Sequence, residues 1–200
     1  MTVTRERFER GLSYDTWKDQ MTRNRERFDA NERSLALSAG DLGPFRALSR
    51  PLHVLVLAED WCGDVIANLP ILGRIAEATG TLDLRVFPRD ENLDLMDQYL
   101  SEGTYRSIPV FAFFDERFNE VGRFIERPRS VTELRREKRA EIYASDPAFG
   151  SPDDPIDQLP EDVRRRLQEA ILRMREETKL FADREVVKAL REIVSRVPVS

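Results

Sequence analysis

Two hundred residues, 40% apolar and 34% charged, suffice for one domain of ordinary size, or one domain with helical additions, under a heavily charged surface. The net charge of −5 argues against nucleic acid as a partner, because phosphate binding needs a concentrated basic face. No apolar run of the roughly 18 residues needed to span a membrane is present, and one cysteine cannot build an internal disulfide framework.

The stretch MTVTRERFERGL is charged from Arg5 onward and lacks the apolar centre of a secretory signal. With the lone cysteine, this points to a reducing, cytoplasmic setting. Residues 4–37 read as helical, with Phe8, Leu12, Trp17, Met21 and Phe28 at roughly helical spacing and a break near Gly11-Leu12-Ser13. Trp17 is expected to pack within that helix. SAGDLGPF, residues 38–45, carries two glycines and a proline and predicts a loop.

From residue 52 the rhythm changes. LHVLVLA (52–58) is a continuous apolar run suited to a strand buried on both faces, with His53 expected to be a satisfied core histidine. Residues 64–79 then place Val65, Ile66, Leu69, Leu72, Ile75 and Ala76 on helical spacing, with Gly80 where a C-terminal cap belongs. LDLRVF (82–87) alternates like a strand. ENLDLMDQYLSEG (91–103) predicts a short helix closed by Gly103, with Asp90 and Glu91 as capping residues. IPVFAFF (108–114) and EVGRFIER (120–127), separated by a polar turn, have the spacing of an antiparallel hairpin. A charged helix at 130–144 completes a β-α-β-α-β-β-α order, and alternation of strands with helices predicts an α/β fold with a mostly parallel sheet covered on both sides.

After Asp146, DPAFGSPDDPIDQLP holds four prolines and four aspartates, a composition suited to a linker. Leu159, Val163, Leu167, Ile171 and Met174 then step at about one helical turn, followed by Val186, Val187, Leu190, Ile193 and Val194. These helices need an apolar partner surface, either on the core or in a homodimer formed through the terminal helices. Arg135-Arg136 and Arg164-Arg165-Arg166 alternate with acids and read as solvated helix faces.

The chemistry-bearing stretch is AEDWCGDVIANLP, residues 58–70, which sets Cys62 at a strand-to-helix junction between Trp61 and Gly63. Cys62 and His53 are the only soft or borderline metal ligands in the chain, so no metal site and no cofactor is expected. A helix N-terminus favours a thiolate through its partial positive charge and free N–H groups. Glu59, Asp60 and Asp64 oppose it, and no Lys or Arg lies between Pro51 and Arg74. The thiol is therefore expected to be less acidic than a typical active-site cysteine unless tertiary neighbours supply positive charge. A buried, inert cysteine is the plainer alternative, but DWCGD is polar on both sides and sits in a turn.

Residues 50–128 resemble the thioredoxin superfamily, in particular bacterial thioredoxin-like proteins with extra helices. WCGD at the end of a buried strand is similar to the family's Trp-Cys-Gly-Pro-Cys motif. Pro70, eight residues after Cys62, matches the proline that kinks the active-site helix, and RSIPVF matches the family's Ile-Pro step. The resemblance implies a thioredoxin-like fold with a mixed central sheet and helices on both faces, plus N-terminal and C-terminal helical extensions. On that frame residues 1–45 and 159–200 are the extensions, 46–145 the thioredoxin-like domain and 146–158 a linker. It further implies Cys62 as nucleophile, a cis Pro109, and a substrate-binding surface made of Trp61, Gly63, Ile108 and Pro109. Two positions depart from the pattern. Val65 replaces the resolving cysteine, and Val56 stands where many members place a buried aspartate.

One thiol permits attack on a disulfide but not intramolecular release. The first expectation is thus a monothiol disulfide oxidoreductase acting on protein or small-molecule disulfides and turned over by a low-molecular-weight thiol. The second is a non-catalytic module that binds peptides or proteins in the same groove. A cluster-binding monothiol glutaredoxin is a weaker third, because Gly-Asp-Val after Cys62 lacks that group's pattern.

Overall fold

The computed structural model describes residues 3–197. In chain order it has α1 (Arg5–Glu9), β1 (Leu12–Ser13), α2 (Tyr14–Asp19), α3 (Arg25–Ser34), α4 (Ala39–Arg46), β2 (Leu52–Ala58), α5 (Gly63–Thr79), β3 (Leu82–Pro88), α6 (Leu93–Met96), β4 (Val110–Phe114), β5 (Glu120–Ile125), α7 (Arg129–Ser145), α8 (Glu161–Glu177) and α9 (Lys179–Val194). The chain forms two compact units, one of residues 1–127 with 186–200 and one of residues 128–185.

The first unit is built on a five-stranded sheet in the order β1-β3-β2-β4-β5. It is mixed rather than mostly parallel: β2 and β3 run parallel, and the β1–β3, β2–β4 and β4–β5 pairs are antiparallel. The β-α-β crossover of β2, α5 and β3 imposes the parallel pair, but β4 returns beside β2 in the opposite sense. Val54 to Ala58 are fully buried in β2, as a strand flanked on both sides requires, and each large aliphatic side chain among them contributes roughly 1.5–3 kcal/mol on burial. Leu57 faces Val110 across the β2–β4 pair. Residues 108 and 109 therefore lie beside the C-terminal end of β2, where the chain turns into Cys62.

The helical reading of residues 4–37 breaks at an edge strand. Leu12 and Ser13 pair with Val86 and Arg85 of β3. Gly11 permits this approach, since a Cβ there would lie 2.6 Å from the Phe87 ring and 2.8 Å from Arg85 Cβ. The predicted loop at 38–45 is instead α4. Ser38 and Asp41 form a reciprocal capping box, and buried Leu42 and Phe45 anchor the helix despite Pro44. The predicted helix at 91–103 shrinks to α6, and Gly103, at φ +70°, belongs to a turn within the Ser101–Tyr105 bridge. Asp90 and Glu91 fall in a 3-10 turn, Arg89–Glu91, and neither caps α6, whose N-cap is Asn92. α5 ends as expected, with Gly80 in the left-handed region at φ +66°.

α5 packs against α3, α4 and β3. Pro70 lies inside it and lacks the N–H that would bond the Ile66 carbonyl one turn earlier. Asn31 of α3 takes that place, its Nδ2 donating to Ile66 O at 2.8 Å. Beside this contact, Tyr14 Oη donates to Glu32 at 2.6 Å and Lys18 pairs with Glu32 and with Asp29, the latter at 3.0 Å. Trp17 packs on Phe28 with ring centroids 5.8 Å apart, and His53 stacks on Phe118 and meets Asp83 at 3.2 Å.

The apolar face of α9 from Val186 to Val194 is part of the first unit's core. In the second unit α7 and α8 pack together around Tyr143, Phe149, Val163 and Leu167. Phe149 lies in the proline-rich stretch read as a linker, within a short 3-10 turn, and is 6% exposed. The helix expected to complete the main domain is α7, which belongs to this second unit. Among the described residues no helix is long and apolar enough to cross a membrane.

Asn31→Ala should destabilise the first unit by about 1–3 kcal/mol, because it orphans a carbonyl that Pro70 already deprives of its helical partner. Denaturant unfolding measures this. The double variant Asn31→Ala/Pro70→Ala should recover part of the loss, as the restored N–H at residue 70 satisfies Ile66.

Candidate functional site

Cys62 is the N-cap residue of α5, at φ −83° and ψ 119°, and its side chain makes no capping hydrogen bond. Its N–H donates to Glu59 O at 3.2 Å and its carbonyl accepts from Ile66 N–H at 3.0 Å. The side chain is partly exposed. Its Sγ donates to the carbonyl oxygen of Ile108 at 3.5 Å, and the Ile108–Pro109 peptide bond is cis. Ile108 is 4% exposed, so this residue meets the sulfur through its backbone. The Sγ–H contact exists only for the protonated thiol, and a thiolate would have to give it up.

Trp61 is 43% exposed, and the Arg89 guanidinium covers one face of its ring at 4.9 Å from the centroid. Arg89 is itself held by Asp90, at 2.6 Å, and by the carbonyl of Arg106 at 3.2 Å. Asp90 N–H in turn donates to Glu59 Oε1 at 2.8 Å. Burial pushes the Glu59 carboxyl up from its ordinary range, against the pull of that hydrogen bond and with Asp90 and Asp60 adding like charge.

On the other side of the sulfur, Asp64 in the first turn of α5 is 5% exposed and paired with Arg127. Arg127 follows β5 and also meets Glu126 at 2.7 Å. Glu126, at φ 59°, donates its N–H to Pro109 O at 2.7 Å and accepts from Asn68 Nδ2 at 2.8 Å. The turn after β5 is thereby tied both to the cis-proline segment and to α5. Arg89 and Arg127 are the tertiary cations that local sequence around Cys62 lacked. They come from the turns after β3 and β5, and only the sheet register brings them to this end.

Val65, which the resemblance puts at the resolving-cysteine position, is fully buried on α5, and Val56 is fully buried in β2. Neither offers a sulfur or a proton. The N-terminal segment also reaches the site. Asp60 accepts from Thr22 N–H at 2.7 Å and Arg23 N–H at 2.8 Å, while Asn24 Nδ2 donates to Asp60 O at 2.8 Å. Asn24 itself is left-handed at φ 57°, a conformation asparagine tolerates better than most residues. Sequence reading counted Asp60 only as a charge near the thiol and missed it as an anchor. An acceptor for backbone N–H groups nearly forty positions away leaves no local signal.

Asp60→Ala should release Thr22 and Arg23. The loss of the two amide hydrogen bonds and of a longer one from the Thr22 hydroxyl at an exposed site amounts to about 1–2 kcal/mol, or roughly tenfold faster amide exchange at those residues. Hydrogen exchange followed by NMR reports it, and Asp60→Asn, which keeps an acceptor oxygen, should lose less.

Comparison with known proteins agrees with this geometry. No curated protein matches the sequence. Among solved structures, an HIV epitope-scaffold superposes with a TM-score of 0.62 at 18% identity over 96% of each chain. A Pseudomonas aeruginosa protein of unknown function superposes with a TM-score of 0.61 at 20% identity, over 89% of this chain and 99% of that one. Both likenesses are of fold alone. The model of the family described as Thioredoxin matches residues 11–140, which span the sheet, the Cys62 turn and the cis-proline; the chain belongs to the thioredoxin family.

Proposed function

We propose that the protein is a monothiol disulfide oxidoreductase. The observation that supports it most is a partly exposed sulfur at the N-cap of α5, 3.5 Å from the Ile108 carbonyl beside a cis proline. Cys62 thiolate attacks one sulfur of a substrate disulfide, forming the Cys62 mixed disulfide, and the other substrate sulfur leaves as a thiolate. A low-molecular-weight thiolate then attacks the substrate sulfur of the mixed disulfide. Cys62 leaves as thiolate, and the substrate departs bound to the small thiol. A second equivalent of small thiol reduces that product in solution. Trp61, Gly63 and the Ile108–Pro109 backbone would form the surface on which the substrate lies. Such a cycle suits a reducing compartment, where small thiols are abundant.

A second reading, a non-catalytic peptide-binding module, draws on the buried apolar Val56 and Val65 and on the Sγ–H contact that favours the neutral thiol. Turnover of a peptide–glutathione mixed disulfide in the presence of glutathione separates the two. The oxidoreductase reading expects Cys62→Ser to reduce the rate to the uncatalysed background. Equal and negligible rates for both proteins would leave the binding module. Val65→Cys adds a geometric check. Mild oxidation should leave that variant with no free thiol, and two remaining free thiols would mean that residue 65 does not face Cys62.

A further inference from the structure

Asp64 is the only acidic side chain among the described residues that is buried, at 5% exposure, and it lies two residues from Cys62 in the first turn of the same helix. An anion at that place normally stays solvated while it complements the helix dipole. Here it is withdrawn from water, which is costly unless a partner charge accompanies it. The partner is Arg127, and Arg127 is not free to drift: Glu126 beside it is fastened to Pro109 and to Asn68.

We propose that Arg127 is a positioning residue for the thiol, acting through Asp64 to cancel the buried charge that would otherwise hold Cys62 in its neutral form. The inference rests on the reading of Cys62 as a nucleophile. Without Arg127, a carboxylate deprived of its guanidinium shares the helix N-terminus with the sulfur and raises the pH at which the thiolate forms. Without Asp64, the guanidinium remains and lowers it. The other charged groups around the thiol are Glu59 and Asp60 in the turn before it, Arg89 and Asp90 after β3, and Glu126 after β5. Arg106 lies two residues before Ile108 and pairs with Asp97 at 2.7 Å. Arg89 pairs with Asp90, whose N–H holds Glu59, and Asp60 is engaged by the Thr22 and Arg23 amides. None of these three pairings involves Asp64 or Arg127, but Arg127 also pairs with Glu126 at 2.7 Å. Arg127→Gln therefore releases that carboxylate as well and pushes the midpoint in the same direction, while Asp64→Asn leaves the Glu126 pairing in place.

The pH dependence of Cys62 alkylation by iodoacetamide tests this on the full chain, where the single cysteine makes the signal unambiguous. The midpoint of the profile is the readout, because intrinsic nucleophilicity falls as a thiol becomes more acidic and distorts plateau rates. Arg127→Gln should move the midpoint up by about one pH unit and Asp64→Asn should move it down by a similar amount. The double variant should return near the wild-type midpoint, and Arg127→Lys, which keeps the charge, should stay close to it. A role confined to packing would shift unfolding curves without this reversal of sign. Superimposable profiles, or shifts of Arg127→Gln and Asp64→Asn in one direction, would overturn the proposal. Should Arg127→Gln fail to fold, an Asp64→Asn midpoint that is unmoved or raised overturns it alone. Disulfide turnover of the same proteins is scored separately. Its absence in the wild type sinks the oxidoreductase reading, while the midpoints still decide the role of the pair.

Discussion

The antiparallel pairing of β4 on β2, with Val110 opposite Leu57, is the constraint on which the site depends. A strand that returns beside β2 must begin where β2 ends. The segment just before β4, Ile108 and Pro109, is therefore placed against the turn that carries Cys62. Sliding the pair by one residue would turn every side chain of β4 to the other face and unseat its fully buried run from Val110 to Phe113. Core packing thus sets the register, and the register sets the distance between the sulfur and the Ile108 carbonyl.

What surrounds that junction is a set of substitutes for groups the chain itself removes. Pro70 deprives Ile66 of a helical hydrogen bond, and Asn31 supplies another. The loop before Cys62 is closed by the Cys62 N–H donating to Glu59 O, and the α2–α3 connection grips it through Asp60. The turn after β5 supplies Arg127 to the buried Asp64 and a backbone N–H to Pro109. The Ile66 carbonyl and Asp64 are polar groups costly to bury alone, each satisfied by a residue distant in sequence, while Asp60 makes its long-range bonds at an exposed position. The N-terminal helices are consequently part of the machinery that holds the site, and α5 is braced on the side where its own bonding is interrupted.

The sulfur sits in a balanced field. The N-terminus of α5 favours a thiolate, whereas Glu59, Asp60 and Asp64 oppose it, and the Ile108 carbonyl holds the neutral form. Local sequence sees only the acids. The folded chain brings Arg89 onto Trp61 and Arg127 onto Asp64, each with an acid of its own, Asp90 and Glu126, so cations that the stretch from Glu59 to Asp64 lacks are placed among its acids. Val65 and Val56 are both apolar and buried, and Cys62 is the one cysteine of the sequence, so the chain holds no second thiol.

Sequence alone determined the strands β2, β3, β4 and β5, the long helix α5 with its glycine cap, and the turn that presents Cys62, because these rest on local periodicity and on turn chemistry written in adjacent residues. The helix that Ser38 and Asp41 cap is not read from the sequence, because two glycines and a proline in the same stretch point to a loop. Tertiary structure decided the rest: the antiparallel return of β4, the edge pairing of Leu12 and Ser13, the packing of Phe149 in a stretch that composition marks as a linker, and the placing of Asp60, Asn31 and Arg127. Each of these depends on a contact between residues far apart in the chain, and its energy comes from burial or charge pairing that no local window contains. A hydrophobic period records which face a segment buries, but not what it is buried against.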